Sequence, residues 1–329
     1  MDANVTFSDI PSERFFFITA FYNIGICAIL FMVGTTGNGL VIWITGFKMK
    51  KSINSIWFLN LALADFIFTT FLIFDIINIF MYYEWPFGTF FCHLNALVMY
   101  TTMFSSIFLL SVISVDRCLL VEAPVWMHHH RIPRNTSIVC LLVWSLALVV
   151  SLPYAVFMKN FTFNNNTYCY FEVSINFKVN VYWTNVFNFA HFLGGFLIPL
   201  ISITSSYTVI TCHQNAIKQK ASKMVTIFVA ITVIFFLCWF PYHFMKILEF
   251  FQPENEITEK YVTYLYPFVG NIIYINSSIN PMLYAFLSPS FWRTCKKSCS
   301  GLCRTCFKKT QFVNGRRRKD VTVISTTNL

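Results

Sequence analysis

The sequence predicts an all-α membrane protein, a bundle of seven transmembrane helices followed by a short amphipathic eighth helix. The chain of 329 residues is 56% hydrophobic and only 12% charged, about half the charged fraction of a typical soluble domain. Its charges lie between long apolar stretches, and a helix needs about 20 apolar residues to cross the hydrocarbon core of a bilayer. Seven stretches qualify: Phe16–Phe47, Ile53–Met81, Phe90–Leu120, Thr136–Phe157, Val181–His213, Met224–Phe250 and Val262–Leu287.

The positions of Lys and Arg predict the orientation of the bundle. If the first helix starts outside, nineteen of the 24 basic residues lie at inner ends, inner loops or the tail, and five lie outside. Positive charge accumulates on the cytoplasmic side. We therefore expect a multi-pass plasma-membrane protein with an extracellular N-terminus and a cytoplasmic C-terminus. The net charge of +10 is a topology signal and does not indicate a nucleic-acid partner. The basic run Arg316–Lys319 is either solvated or in contact with anionic membrane lipids.

These boundaries divide the chain into four parts: an extracellular arm at 1–15, the bundle at 16–287, the amphipathic eighth helix with a palmitoylation cluster at 288–306, and a cytoplasmic tail at 307–329. No cleaved signal peptide is visible in the arm. Asn4, Asn160 and Asn165 are N-glycosylation acceptors on the predicted outer side. The tail cysteines have helical spacing and no accompanying histidine, which favours palmitoylation over zinc binding. They are Cys295, Cys299, Cys303 and Cys306.

Two cysteines, Cys92 at the outer start of the third span and Cys169 in the loop after the fourth, are the only ones that this topology places in the oxidising exterior. We predict that they form a disulfide, which would tie this loop across the mouth of the bundle.

Polar residues inside the predicted spans are costly in hydrocarbon and therefore need a role. One set can be drawn together at mid-depth: Asn38, Asp65, Ser106, Asn276, Ser277 and Asn280. Asp65 should be protonated, bind a cation or hydrogen-bond the asparagines. Two interpretations remain open, a polar knot that holds the helices together and a sodium site that biases the bundle between two states. Apart from this sodium ion, no metal or cofactor is expected.

Prolines lie within the last three spans, at Pro199, Pro241 and Pro281. Each frees a backbone carbonyl and allows the helix to kink. Trp239 precedes Pro241 and is large enough to move a helix when its packing changes. Static kinks are possible, but three kinks around one cavity favour a bundle with two arrangements.

An ordered set of short motifs carries a family resemblance. The motifs are Gly37-Asn38, Leu61–Asp65, Trp85–Gly88, Cys92, Asp116-Arg117-Cys118, Trp144, Pro199 with Tyr207, Cys238–Pro241 and Asn280–Tyr284. With them the chain resembles the class A (rhodopsin-like) G-protein-coupled receptors along most of its length. Within that class it is similar to the chemoattractant branch, which holds formyl-peptide, chemerin and type-2 prostaglandin D receptors. This closer match rests on Phe47–Lys51, Ser114–Leu119, Pro124-Val125-Trp126 with His130-Arg131, and Gly195–Pro199.

The resemblance implies a cell-surface receptor for a chemoattractant-type ligand, either a short peptide or an acidic lipid. It implies outward movement of the sixth helix and coupling to a heterotrimeric G protein, usually of the inhibitory type, with arrestin as a further partner. Asp116 would hold Arg117 at rest, and Arg117 would face Tyr207 and Tyr284 after activation. The alternative is a scavenger receptor that internalises ligand without signalling, for which Cys118 and Glu122 give an argument. No catalytic constellation is present, so an enzyme is not expected.

Helical spacing predicts the ligand pocket. Its residues are Asp75, Met99, Tyr100, Met103, His191, Trp239, Tyr242, His243, Lys246, Glu249 and Tyr266. Related receptors of this branch place Arg or Lys where this chain has His191. The partner of Lys246 remains open between a ligand carboxylate, Glu249 and Asp75. Nine acidic residues on the outer side against five basic ones would steer a cationic peptide toward the pocket.

Overall fold

The structure, a computed structural model, describes residues 13–216, 223–251, 256–287 and 292–296. Its longer helices are α1 (Glu13–Trp43), α2 (Ile53–Phe80), α3 (Gly88–Glu122), α4 (Pro124–His130), α5 (Pro133–Val156), α6 (Phe177–Phe192), α7 (Ile198–Ala216), α8 (Lys223–Phe251) and α9 (Glu256–Leu287). A π-helical turn at Ile44–Lys48 extends α1, and a second at Leu193–Leu197 joins α6 to α7. A hairpin of β1 (Met158–Phe163) and β2 (Asn166–Phe171) follows α5.

Six segments of the described residues are long and apolar enough to cross a membrane. They are Phe17–Lys48, Ile53–Phe80, Gly88–Glu122, Pro133–Val156, Phe177–His213 and Val229–Leu248. The 32 residues of α9 are also long enough, but asparagines and serines lower its apolar character. Asn271, Asn276 and Asn280 are buried between helices and do not face lipid. These interior polar residues explain why α9 is not among the six segments identified by composition. By its length, α9 is the seventh helix that can cross a membrane.

The core of the bundle is centred on α3. Phe104, Ile107, Leu109 and Ile113 of this helix are fully buried, and α3 packs against α2, α5, α7 and α8. Large apolar side chains of α5 such as Leu141 remain exposed on the outside of the bundle. Lipid tails solvate such side chains as well as a protein core does, so their exposure is not costly in a bilayer.

Buried polar contacts join helices that are distant in sequence. Trp144 Nε1 donates to Asn60 Oδ1 at 3.2 Å, which joins α5 to α2. Asn271 Nδ2 donates to Asn23 Oδ1 at 2.7 Å, which joins α9 to α1. In hydrocarbon an unpaired amide is costly, and such hydrogen bonds therefore fix which helices are neighbours.

The hairpin covers the outer end of the bundle. Its strands are antiparallel, from Met158 opposite Phe171 to Phe163 opposite Asn166. Asn164 and Asn165 form the two-residue turn with φ values of 48° and 67°, as the favoured hairpin turns require. The all-α prediction missed this hairpin. The signal was present, because aromatic and β-branched residues flank an Asn pair on both sides.

The eighth helix stays a prediction. Residues 292–296 are helical, and the remainder of 288–306 lies outside the described residues. Cys295 is buried. Three of the predicted modification sites in the tail, and one in the arm, also lie outside the described part of the chain: Cys299, Cys303, Cys306 and Asn4.

Replacing Gly34 with Ala is expected to destabilise the bundle by about 1–3 kcal/mol. An added Cβ would lie 2.5 Å from Thr69 Cγ2 and 3.0 Å from Ser278 Oγ, so α1 would be pushed from both α2 and α9. Thermal unfolding of the detergent-solubilised protein measures this effect. Gly25→Ala is the matched control on the same helix, because nothing lies within 4 Å of its added Cβ. Equal unfolding temperatures for the two variants would contradict the close approach at Gly34.

Candidate functional site

A cavity of about 380 Å³ lies among α2, α3, α6, α8 and α9. Seven residues predicted from helical spacing line it: Asp75, Met99, Tyr100, Met103, His191, Trp239 and Tyr242. Five further lining residues were not predicted: Phe68, Val269, Gly270, Ile273 and Tyr274. The sequence prediction placed the polar residues of α9 in the polar core. It did not predict that other residues of this helix line the cavity.

Two predicted pocket residues on α8 do not line this cavity. His243 is buried at 2% exposure, and its ring packs against Phe196 at 4.9 Å between centroids. It therefore faces the contact between α8 and the π-helical turn after α6. Lys246 lies one turn outward from Tyr242 and is half-buried. Helical spacing therefore assigned too many α8 residues to the cavity. It indicates the direction of a side chain around the helix axis but not how far the cavity extends along the helix. The side chains of Glu249 and Tyr266 lie outside the described residues.

At one end of the cavity, Asp75 is held by a neutral donor. The Tyr274 hydroxyl donates to Asp75 Oδ2, and the Asn95 side chain lies near this carboxyl group. The hydrogen bond joins α2 to α9 and orients the carboxyl group.

At the cavity floor, His191 is the centre of an aromatic cluster. Its Nε2 lies 3.0 Å from Met103 Sδ, and its ring centroid lies 5.1 Å from that of His243 and 6.3 Å from that of Trp239. Trp239 Nε1 and His243 Nε2 have no hydrogen-bond partner among the described atoms. A ligand that reaches this floor therefore contacts α3, α6 and α8 together.

Below the cavity, the predicted polar core is assembled from α1, α2 and α9. Asn280 Nδ2 donates to Asp65 Oδ2 at 2.7 Å, and Asn38 Nδ2 donates to the Ser277 carbonyl at 2.9 Å. The Ser277 side chain lies near the Asp65 carboxyl group. Ser106 is buried on α3, and no described contact joins it to this network.

The polar core contains buried oxygens that lack a donor. They are the Oδ1 atoms of Asn38, Asp65, Asn276 and Asn280, none of which has a hydrogen-bond partner within the described residues. Hard cations prefer carboxylate and carbonyl oxygens. These oxygens are the kind of atom that a small cation would need, and both the sodium site and the polar knot stay predictions.

At the inner end of α3, the Asp116 carboxylate has two basic partners. Arg131, at the start of the loop after α4, binds it in a bidentate manner at 2.9 and 3.1 Å. Arg117 is farther away at 3.8 Å, and its Nη2 donates instead to Asn54 Oδ1 of α2 at 2.6 Å. The expected contact of Asp116 with Arg117 is present as this 3.8 Å ion pair. Arg131 is a further partner of Asp116, and Asn54 is a further partner of Arg117. The role of the pair in the resting receptor stays a prediction.

The partners expected for Arg117 after activation are described only in part. Tyr207 lies on α7 and packs against the core, and its hydroxyl has no hydrogen-bond partner among the described atoms. The side chain of Tyr284 lies outside the described residues. Pro241 lies inside α8, and Pro281 packs against α1 at Gly37.

The outer cover carries the disulfide and two glycosylation acceptors. Cys92 of α3 is bonded to Cys169 of β2, which attaches the hairpin above the cavity. Trp85 N donates to the Thr167 carbonyl at 2.6 Å, a second attachment of the hairpin. Asn165 is exposed at the hairpin turn, and Asn160 is half-buried in β1.

A salt bridge lies near the hairpin base, where Lys159 Nζ and Glu172 Oε2 are 3.5 Å apart. Partial burial, followed by the nearby Glu172 carboxylate, raises the pKa of Tyr170 above its ordinary value. Glu172 thus makes the outer surface more negative beside the hairpin, while Lys159 offsets part of that charge.

Comparison with known proteins identifies the family. Residues 37–284 match the family described as 7 transmembrane receptor (rhodopsin family). The chain is 35% identical over 288 residues to Chemerin-like receptor 1 of Homo sapiens, covering 83% of this chain and 77% of that protein. It is 36% identical over 277 residues to N-formyl peptide receptor 3 of Pongo pygmaeus, covering 80% and 79%. It is 34% identical over 267 residues to Chemerin-like receptor 2 of Rattus norvegicus, covering 80% and 75%.

Proposed function

Because the chain belongs to the rhodopsin family of seven-transmembrane receptors, and so is a multi-pass receptor of the plasma membrane, we propose that it binds a short peptide from outside the cell. The bound peptide favours outward movement of α8, and the opened inner face activates a heterotrimeric G protein of the inhibitory type. Arrestin binds the same active form. The N-terminus is extracellular and the C-terminus is cytoplasmic.

The observation that carries this proposal is the continuity between the cavity floor and α8. Trp239 lines the cavity, and Pro241 lies two residues further along the same helix. A ligand that displaces Trp239 therefore acts on α8 where its backbone hydrogen bonding is already interrupted. A helix with such a break can bend at low cost.

Packing at the inner half of α8 supports its outward movement. A groove of about 610 Å³ lies between α7 and α8, lined by Ile203 and Tyr207 on one side and by Val229 and Phe236 on the other. This half of α8 therefore has little close packing against α7 to lose. Segments with few buried contacts are the ones that move most readily.

A peptide is favoured over an acidic lipid by the cavity lining. None of its twelve described lining residues is Lys or Arg, whereas Asp75 is a carboxyl group in the lining, so the lining suits a ligand cation better than a ligand carboxylate. Two relatives have names that refer to a formyl peptide and to chemerin. A similar peptide-type ligand is consistent with the likeness of the chains.

The experiment is a screen of short peptides and acidic lipids against cells that express the chain, with cAMP, arrestin recruitment and ligand uptake as readouts. We expect a peptide to lower cAMP in a manner that pertussis toxin blocks. Uptake of ligand without loss of cAMP would support the scavenger alternative. An acidic lipid as the active ligand would overturn the peptide assignment but leave the receptor function in place.

We also propose that the exposed Asn165 carries an N-glycan and that the tail cysteines carry palmitate. The proposed orientation of the two termini is tested with epitope tags that are detected in intact and in permeabilised cells. Glycosylation is tested by amidase treatment. We expect the wild type to lose mass, and a variant with Asn4, Asn160 and Asn165 all replaced by Gln to lose none.

A sodium ion at Asp65 is the best account of the donor-free oxygens in the polar core. We expect sodium chloride to raise the unfolding temperature of the purified receptor relative to the same concentration of potassium chloride, because a bound ion stabilises only the folded state. Asp65→Asn should remove this difference, since it removes the only carboxylate described in the core. An equal response of the variant and the wild type to sodium would contradict the site.

A further inference from the structure

We propose that Asp75 is the recognition point for a cationic group of the ligand, an ammonium or a guanidinium, and that the ligand presents this group to the α2–α9 side of the cavity. The inference rests on the proposed peptide-receptor function and narrows its ligand class. It assigns a basic side chain or a free amino terminus to the part of the peptide that contacts Asp75.

The charge of the cavity supports this assignment. Asp75 is the one carboxylate among the described residues that line the cavity. Within the described part of the chain, no Lys, Arg or His nitrogen lies within 4.0 Å of it. A carboxylate inside a membrane protein without a cationic partner is costly. A ligand cation would offset that cost, whereas a ligand carboxylate would add to it.

The hydrogen bonds of Asp75 leave room for a ligand. The Tyr274 hydroxyl donates to Asp75 Oδ2. An ionised carboxylate has about four acceptor sites on its two oxygens, so acceptor sites remain for N–H donors of a ligand. The Tyr274 hydrogen bond also orients the carboxylate, which reduces the entropy lost when a ligand binds.

Aromatic rings surround the same space. Phe68 and Tyr274, whose centroids are 5.2 Å apart, line the cavity together with Asp75, as do Tyr100, Trp239 and Tyr242. The faces of such rings attract a desolvated cation, and guanidinium groups also stack on them. A cavity that combines one carboxylate with aromatic rings favours organic cations over anions.

The cavity floor supplies a complementary donor. Trp239 Nε1 is buried and has no acceptor among the described atoms. A ligand with a carbonyl oxygen near its cationic group would satisfy this N–H, and a peptide backbone provides that oxygen. A lipid with one anionic headgroup could accept this N–H, but it offers no cation to Asp75.

The test uses benzamidine and its neutral near-isostere benzamide as probes of the full-length purified receptor. We expect benzamidine to raise the unfolding temperature at a concentration at least tenfold lower than benzamide needs. Asp75→Asn should remove this preference, because it keeps the shape of the side chain and one acceptor oxygen but removes its charge. Glu172→Gln is the matched control, since Glu172 lies outside the cavity lining, and the preference should remain.

Three results would overturn the proposal: no stabilisation by benzamidine, equal potency of the two probes, or an undiminished preference in Asp75→Asn. If Asp75→Asn does not fold, Met99→Trp replaces it. That variant narrows the cavity next to Asp75, and a benzamidine effect that survives it would place the cation elsewhere. The test needs no G protein. If the receptor binds benzamidine through Asp75 but no ligand lowers cAMP, that result contradicts the signalling proposal and leaves the Asp75 proposal in place.

Discussion

Replacing Arg117 with Gln is expected to lower ligand-stimulated G-protein activation by about tenfold or more, while the receptor still reaches the cell surface. Arg117 is 7% exposed at the inner end of α3, and α3 contains no other Arg and no Lys. Its charge is shared between Asp116 at 3.8 Å and Asn54 at 2.6 Å. Such divided contacts can be exchanged for contacts with a G protein when α8 moves. Nucleotide exchange in membranes, normalised to surface receptor, measures the effect.

Arg131→Gln is the matched control for Arg117. Arg131 binds the same carboxylate more closely, at 2.9 and 3.1 Å, but belongs to the loop after α4. If Asp116 and its partners were only a structural anchor, the loss of Arg131 would cost at least as much signalling as the loss of Arg117. We expect Arg131→Gln to retain most of the signalling. A similar loss in both variants would contradict a specific role for Arg117.

The spans were predictable because the bilayer sets their length and apolar character. The second span was predicted at Ile53–Met81 and α2 is found at Ile53–Phe80. The fourth was predicted to begin at Thr136, whereas α5 begins at Pro133. Proline is favoured in the first turn of a helix, and Arg134 can extend toward the membrane surface, so the helix starts before its apolar run does.

The sequence predicted which residues of one helix face the candidate site, but not which residues of different helices contact each other there. Met99, Tyr100 and Met103 share one face of α3 by spacing, and all three line the cavity. The pairing of Asp75 with Tyr274 joins residues 199 positions apart, and nothing local in the sequence specifies it. The contact of Arg131 with Asp116 has the same origin, since α4 returns the chain to α3 by a path that spacing does not reveal.

Removing the disulfide is the other change for which we expect a large effect. Cys92→Ser and Cys169→Ser should each lower the free energy of unfolding by about 2–4 kcal/mol, because the bond closes a loop across 77 positions and attaches the hairpin above the cavity. The double variant should be no less stable than either single variant, since one lost partner already breaks the bond. Cys212→Ser is the control, as Cys212 is exposed and not disulfide-bonded, and it should unfold at the wild-type temperature. Thermal unfolding and the fraction of receptor at the cell surface provide the measurements. If the effects of the two single substitutions add in the double variant, the cysteines act independently and the hairpin is held chiefly by other contacts such as that of Trp85 with Thr167.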